Sequence, residues 1–426
     1  MVRLSLTAAL LSLAVLAPNA VAQVQDKRSA VFLHPDGMGA NTWTAIRLKE
    51  VGPDGRLAWD QLPAAAAYVG PLLDRVTATS NGGGTSHAWG VRAASASFGF
   101  PAGAEAASGA PMPLMLEAKR AGKAIAIINS ASVTDAGTGT QLASVGNRRN
   151  HTLIAAKMLS AEPDLLLGGG EKYFLPQGVA GVHGQGVRQD GRNLIEEARA
   201  KGYRIVRTRT ELLEAAKTKG KILGLFSTDN TFQEGSEEQV AASGKPLFEA
   251  QAPRYDEMVA VALNLLADAP NGFYLMAEEE ATDNLGGDNN ASGVLDAGAG
   301  ADRAIAAALA AAKANPNLTV VVASDSDCGG LQATGDDAVA GEKLPPATKT
   351  GSPIDGVGGA ATVPFLAAPD EAGMRWPFAI TWASEGDMSG GGIVRATGPG
   401  AALVFGTVDS TDVYRALHAG LFGVKK

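Results

Sequence analysis

Ala30-Val31-Phe32-Leu33-His34-Pro35-Asp36-Gly37-Met38-Gly39 is the stretch on which the fold of this chain turns. The apolar run is a buried-strand signal, and the polar residues after it make a tight turn. An amphipathic stretch then continues through Ile46, Leu48 and Val51. The product is strand, turn and helix, with Asp36 at the strand's carboxyl end. The alternation recurs outward from there. Strands are expected at Ala124 to Ile128, at Leu165 to Leu167 ahead of Gly168-Gly169-Gly170, and at Ile222 to Phe226, Phe273 to Met276 and Leu318 to Ala323. Helical patterns cover Leu153 to Leu159, Tyr255 to Ala267 and Val294 to Lys313. Strands alternating with helices predict an α/β fold, a three-layer sandwich around a central, mostly parallel sheet.

In such folds reactive groups collect at the carboxyl ends of the strands. Asp36 ends the first strand, Glu278 and Asp283 follow the strand at 273–276, and Asp325 and Asp327 follow the strand at 318–323. One acidic residue after a strand is unremarkable, because Asp is a common loop and capping residue. Three strands that each bring carboxylates to one edge point to a polynuclear metal site or a cation-rich pocket.

Composition narrows the function classes. The 426 residues include 36 Lys+Arg against 44 Asp+Glu, a formal charge of −8, so there is no electrostatic footprint for nucleic acid. A single cysteine closes no intramolecular disulfide. Residues 1–22 read as a secretory signal peptide: a basic start at Arg3, an apolar run from Leu4 to Ala17, and Ala20-Val21-Ala22 before Gln23. No other stretch reaches the length of a membrane span. The expectation is an exported, periplasmic or secreted protein, with residues 23–426 as one catalytic domain. Residues 332–386, rich in Gly, Pro and Asp with little periodicity, read as a loop-rich insertion over one edge of the sheet.

Six ordered segments between about residues 30 and 424 resemble the alkaline phosphatases. Asp36-Gly37-Met38-Gly39 is similar to the family's DGMG, and Asp164 to Phe174 to its DVILGGGRKYF. Gly272 to Glu278, with Asp283 five residues on, is similar to GFFLMVE and its following Asp. Ala323 to Gly330 parallels TADHEHGG. Gly398-Pro399-Gly400-Ala401, followed by Asp409 and Asp412, is similar to GPGA and the VDNTD segment, and Ser80 stands ten residues before Gly90-Val91-Arg92, where the family's nucleophile precedes its GVK. The resemblance implies that Asp36 bridges metals and that Ser80 is the nucleophile. It also implies that Asp135, Thr138 and Glu278 serve a third metal position, and that Arg148, 13 residues after Asp135, grips phosphate. Asp283, Asp325, Ser326 and Asp387 fall at the remaining metal positions, and a homodimer is the family's usual assembly.

Several readings of these residues stay open at this stage. Ser80 heads Asn81-Gly82-Gly83-Gly84-Thr85 before an apolar pattern, so it suits either an anion-facing helix start or an ordinary N-cap, and Thr79 stands where the family usually has an acid. Arg149 competes with Arg148, and either would also suit a solvated turn. The family's zinc sites use three histidines, and the aligned positions here are Gly287, Ser326 and Asp387. An all-oxygen set of Asp36, Asp283, Asp325 and Asp387, with Asp288 or Asp327 as extras, favours hard divalent cations, magnesium first, with calcium or manganese as alternatives and zinc in doubt. His34 reads as a structural histidine or as a residue approaching the metals, His87 as too far from the site, and Cys328 as packing. The resulting expectation is a metal-dependent phosphomonoesterase that forms a phosphoserine and acts on phosphate monoesters. The alternatives are an impaired relative that only binds phosphate or cations, and a phosphodiesterase on the same scaffold.

Overall fold

A computed structural model of the chain describes residues 27–335, 339 and 342–423; the signal peptide expected at 1–22 lies outside the described residues. The strands that the sequence marks are β1 (Ser29–Pro35), β3 (Ala124–Ser132), β4 (Leu165–Gly169), β6 (Ile222–Leu225), β7 (Phe273–Glu279) and β8 (Leu318–Val322). They form one ten-stranded sheet with β2 (Ala64–Val69), β5 (Arg204–Val206), the strand Ile393–Thr397 and the strand Gly406–Asp409. From one edge the order runs Gly406–Asp409, β2, Ile393–Thr397, β8, β1, β7, β3, β4, β6, β5. All neighbours are parallel except Ile393–Thr397, which is antiparallel to both β2 and β8.

Each central strand divides its side chains between two cores, because successive residues point to opposite faces. Val31, Leu33, Leu275, Val320 and Val322 enter one core, closed by α1 (Ala40–Val51) and the helices Tyr255–Leu266 and Ala291–Ala314. Ala30, Phe32, Tyr274, Met276 and Val321 enter the other, closed by helices Leu114–Arg120, His151–Ser160 and Ser410–Phe422. The helical patterns at 153–159, 255–267 and 294–313 are therefore the surface layers of the sandwich. β2 escaped the sequence reading because Ala-Ala-Ala-Ala-Tyr-Val has poor strand propensity and is buried on one face only.

Residues 332–386 carry a small antiparallel sheet of strands two to five residues long, from Gln332–Thr334 to Pro377–Thr381. Strands that short leave no period to read. Among the described residues no helix is long and apolar enough to cross a membrane.

Candidate active site

The sheet order explains why the acidic residues meet. β8, β1 and β7 are adjacent and parallel, so their carboxyl ends lie side by side, and β3 ends next to β7. Asp36 is fully buried there: its N–H donates to Glu279 O at 3.1 Å, and its carbonyl accepts Thr282 Oγ1 at 2.6 Å. Its Oδ1 accepts the Gly37 N–H at 2.9 Å, while Oδ2 has no partner. Gly37 has φ +67°, and a Cβ there would lie 2.8 Å from both Asp283 Cα and Asp283 Oδ1. A glycine at this turn lets Asp283 close on Asp36. Asp36, Glu280 and Asp283 offer oxygens within 4.8 Å of one another, and Asp283, Cys328 and Asp387 form a second such group.

Ser80 is the first residue of α2 (Ser80–Trp89). The cap is Thr79: its Oγ1 accepts the Gly82 N–H at 3.3 Å and donates to Ser95 O at 2.8 Å. The residue that departs from the family pattern thus takes the capping role. The Ser80 hydroxyl, half-buried, is left without a hydrogen bond to any described residue. One turn on, a Cβ at Gly83 would lie 2.1 Å from Asp325 Oδ2, so α2 packs against the acid cluster through a position where only glycine fits. Beside Asp325 and Ser326 opens a cavity of about 260 Å³, walled by Tyr68, Val69, Pro71, Val76 and Met388.

On the far side of Asp36, both oxygens of Glu278 are engaged. Oε2 accepts Asn129 Nδ2 at 2.6 Å and the Thr138 N–H at 3.1 Å, and Oε1 faces His34 Nδ1 at 3.0 Å. The Thr138 hydroxyl donates to Val133 O at 3.0 Å and accepts from Asn129, so it serves its own loop. Asp135 caps the short helix Ala136–Gly139, and its Oδ1 receives Arg148 Nη2 at 2.7 Å. Arg148 is half-buried; burial opposes its charge, but Asp135, Glu280 and Asp36 more than offset that and hold it firmly cationic. Arg149 is exposed.

At the three positions where the family has histidine, the local structure differs in kind. Ser326 is buried and its hydroxyl donates to Asp387 Oδ1 at 2.7 Å. Asp387 is exposed and brings an oxygen within 4.8 Å of the Asp283 carboxylate. The space before Gly287 is taken by Cys328, whose Sγ would lie 3.5 Å from a Cβ there and stands within 4.8 Å of an Asp283 carboxylate oxygen. Of the proposed extras, Asp288 accepts the Gly235 N–H at 2.7 Å, and Asp327 packs against Gly39 and Gly391.

Electrostatics give these contacts their meaning. Burial pushes Asp36, Glu278, Glu280, Asp283 and Asp325 well above the usual carboxylate range, and the repulsion of neighbouring acids adds to it. Asp36 Oδ2, Asp325 Oδ2 and Glu280 Oε2 are buried without a donor. Unpaired buried carboxylates are costly, and an oxygen-rich set with free lone pairs fits a divalent cation.

The profile of a family described as alkaline phosphatase matches residues 27–354. The chain belongs to the alkaline phosphatase family. It is 31% identical over 338 residues to streptomycin-6-phosphate phosphatase of Streptomyces griseus, covering 70% of this chain and 73% of that one. It is 28% identical to alkaline phosphatase H of Pseudomonas aeruginosa over 440 residues, covering 92% of this chain and 85% of the relative. A variant of the alkaline phosphatase from the Antarctic bacterium TAB5, solved with magnesium bound in its M3 site, has the same fold: TM-score 0.70, 19% identity, 94% of this chain and 99% of that one. As an alkaline phosphatase the chain is a phosphoric monoester hydrolase, of a family that binds divalent metals.

Two residues of this cluster escaped the sequence reading. Glu280 is 2% exposed and joins Asp36 and Asp283. Its signal was the run Glu278-Glu279-Glu280 at a strand end, where residues two apart share a face. Asn129, three residues before the end of β3, holds Glu278 and Thr138 together, and nothing in its local sequence marked it.

Proposed function

We propose that the chain is a metal-dependent phosphomonoesterase that works through a phosphoserine at Ser80. The observation that carries this reading is the packing of α2 against Asp325 at Gly83, which brings a half-buried, uncapped serine at a helix start beside buried carboxylates lacking donors. Asp36, Asp325, Asp283, Glu280 and Asp387 are the residues that would hold divalent cations, magnesium, manganese or calcium by their oxygen character. When bound, such cations supply charge stabilisation for the transferring phosphoryl group and lower the pKa of oxygen nucleophiles.

The Ser80 Oγ attacks phosphorus, a new P–O bond forms, and the bond to the alcohol breaks, so the alcohol leaves with a proton. Water then attacks the phosphoserine from the opposite side, and Ser80 regains its hydroxyl as inorganic phosphate departs. Arg148 reaches the site from its anchor on Asp135 and offers a planar, permanently charged grip for the phosphoryl oxygens. The free N–H groups at the start of α2 favour an anion at Ser80. The cavity walled by Tyr68, Val76 and Met388 gives room for the alcohol portion. Export by the leader at 1–22, which rests on its own residue pattern, completes the reading, together with an alkaline pH optimum and a homodimer, which rest on the resemblance.

Hydrolysis of para-nitrophenyl phosphate across a metal panel, comparing the parent with Ser80→Ala, tests this function. The parent should turn over only with a divalent ion, and Ser80→Ala should lose at least roughly 10³-fold in kcat. Acid quenching should trap one phosphoryl group on Ser80. Turnover that survives both Ser80→Ala and chelation would overturn the proposal.

A further inference from the structure

We infer that His34 is a metal ligand, its Nε2 joining the Asp36 carboxylate on one divalent cation while Glu278 stands behind the ring as its orienting partner. The inference rests on the divalent-cation reading above and assigns one of those cations a nitrogen donor that the oxygen set lacks.

His34 lies two residues before Asp36 on β1, so both side chains leave the same face of the strand. The ring is fully buried, and its two nitrogens meet unlike surroundings. Nδ1 is 3.0 Å from Glu278 Oε1. Oε2 is already filled by two donors, Asn129 and the Thr138 N–H, so Oε1 is the oxygen that meets the ring; with a cation alongside, Glu278 is ionised and takes the Nδ1 proton. That tautomer leaves a lone pair on Nε2.

Nε2 has no hydrogen-bond partner among the described residues. What faces it is acidic: Asp36 Oδ1 at 3.8 Å, and the Asp325 carboxylate within electrostatic reach. The remaining sides are closed by Phe32 and His87, with ring centroids 5.4 and 5.5 Å away. His87 supplies no proton there, since its Nε2 is tied to the Tyr68 hydroxyl at 3.0 Å and its Nδ1 bonds to nothing. A buried lone pair pointing at carboxylate oxygens needs a positive centre between them.

The spacing fits an ion better than a hydrogen bond. Two ligand atoms that each sit about 2.0–2.2 Å from one cation are roughly 3–4 Å apart, whereas 3.8 Å is too long for a nitrogen–oxygen hydrogen bond. A carboxylate accepting the far N–H of a ligating imidazole is the usual arrangement behind a metal-bound histidine. Through the resemblance Glu278 was itself expected to be a ligand. Here Asn129, the Thr138 N–H and His34 take three of its four lone-pair positions, and the inference assigns it the place one step behind the metal. A chain with Gly287, Ser326 and Asp387 at the family's histidine positions thus regains one imidazole from another strand. The ions this position takes are those that accept imidazole, such as zinc, cobalt or manganese.

The chain has five histidines, so X-ray absorption can assign the ligand. The whole protein, stripped with chelator and loaded with Co²⁺ alone, should show imidazole scattering at the cobalt edge. His34→Gln should abolish that scattering and weaken Co²⁺ binding at this position at least tenfold, and His151→Gln should leave both intact. Glu278→Gln, which leaves one oxygen for the donors that two oxygens now serve and removes the charge behind the ring, should retain the scattering with roughly 10-fold weaker binding. Absence of imidazole scattering in the parent protein overturns the inference without recourse to any variant. So does scattering unchanged in His34→Gln, or loss of the ion in Glu278→Gln but not in His34→Gln. A parent protein that binds none of Co²⁺, Mn²⁺ or Mg²⁺ fails differently, because it removes the divalent-cation reading itself.

Discussion

Glu171 and Arg207 are nearly as deeply buried as Asp36 and Asp325, yet the two clusters handle charge in opposite ways. Around Glu171 each charge is answered. Arg207 Nε donates to its Oε1 at 2.7 Å, and the His183 N–H donates to its Oε2 at 2.7 Å. Nearby Arg188, 1% exposed, donates to the carbonyls of Thr152 and Tyr173 and pairs with Asp190. At the carboxyl ends of β8, β1 and β7, carboxyl meets carboxyl instead, Asp36 with Asp325 and Asp283 with Asp387. The first cluster is complete as a folded protein. The second keeps buried carboxylate oxygens without donors, and on the function proposed above cations from outside complete it, a contrast between a structural ion pair and a binding site.

The largest expected effect that would break the comparison is on activity. Asp36→Asn should lower kcat/KM by at least roughly 10³-fold and release bound metal, while the metal-free variant unfolds in urea no more readily than the metal-free parent. Loss of stability without loss of metal would make Asp36 structural. Glu171→Gln should do the reverse. Leaving Arg207 buried and uncompensated should cost about 3 kcal/mol in urea unfolding, with activity per folded molecule preserved.

The third expectation concerns pH. A carboxyl whose folded pKa is raised holds its proton when the unfolded chain has lost it, so stability falls as pH rises from the unfolded to the folded value. Glu279 is pushed up to about 8 by burial, and Asp36, Asp283 and Asp325 are raised as well. Metal-free protein should therefore lose melting temperature steadily between pH 5 and pH 8, and metal-loaded protein should lose less. A flat metal-free profile would contradict the charge imbalance. The smallest effect sharpens the point at one residue: Glu279→Gln should gain roughly 1–2 kcal/mol over the parent above pH 8 and nothing at pH 5, read from denaturation midpoints.

The local sequence made much of the scaffold legible. Strand β1 and the turn at Asp36-Gly37 follow from an apolar run ending in Pro, Asp and Gly, and the long helices follow from their apolar period. Glu280 was missed although Glu278 was found, because the alternation that puts 278 and 280 on one face is meaningful only once the strand is known to extend through Glu279. Ser80 and Thr79 show a second kind of gap. The sequence suits Ser80 to an anion-facing helix start or to the cap, and only the bonds of Thr79 to Gly82 and Ser95 assign the cap to Thr79 and leave Ser80 uncommitted. Between Arg148 and Arg149, adjacent in the chain, the decision came from the position of Asp135.

By itself the sequence determined that this chain is an α/β sandwich carrying acidic residues at several strand ends, because hydrophobic period and turn chemistry are local properties. It also determined family membership, because the motifs survive in order. Which carboxylates face one another, and which nitrogen of His34 meets Glu278, were decided by the order of strands β8, β1, β7 and β3. Those contacts join residues up to almost 300 positions apart, and burial strips the water that would otherwise make their charges indifferent to one another.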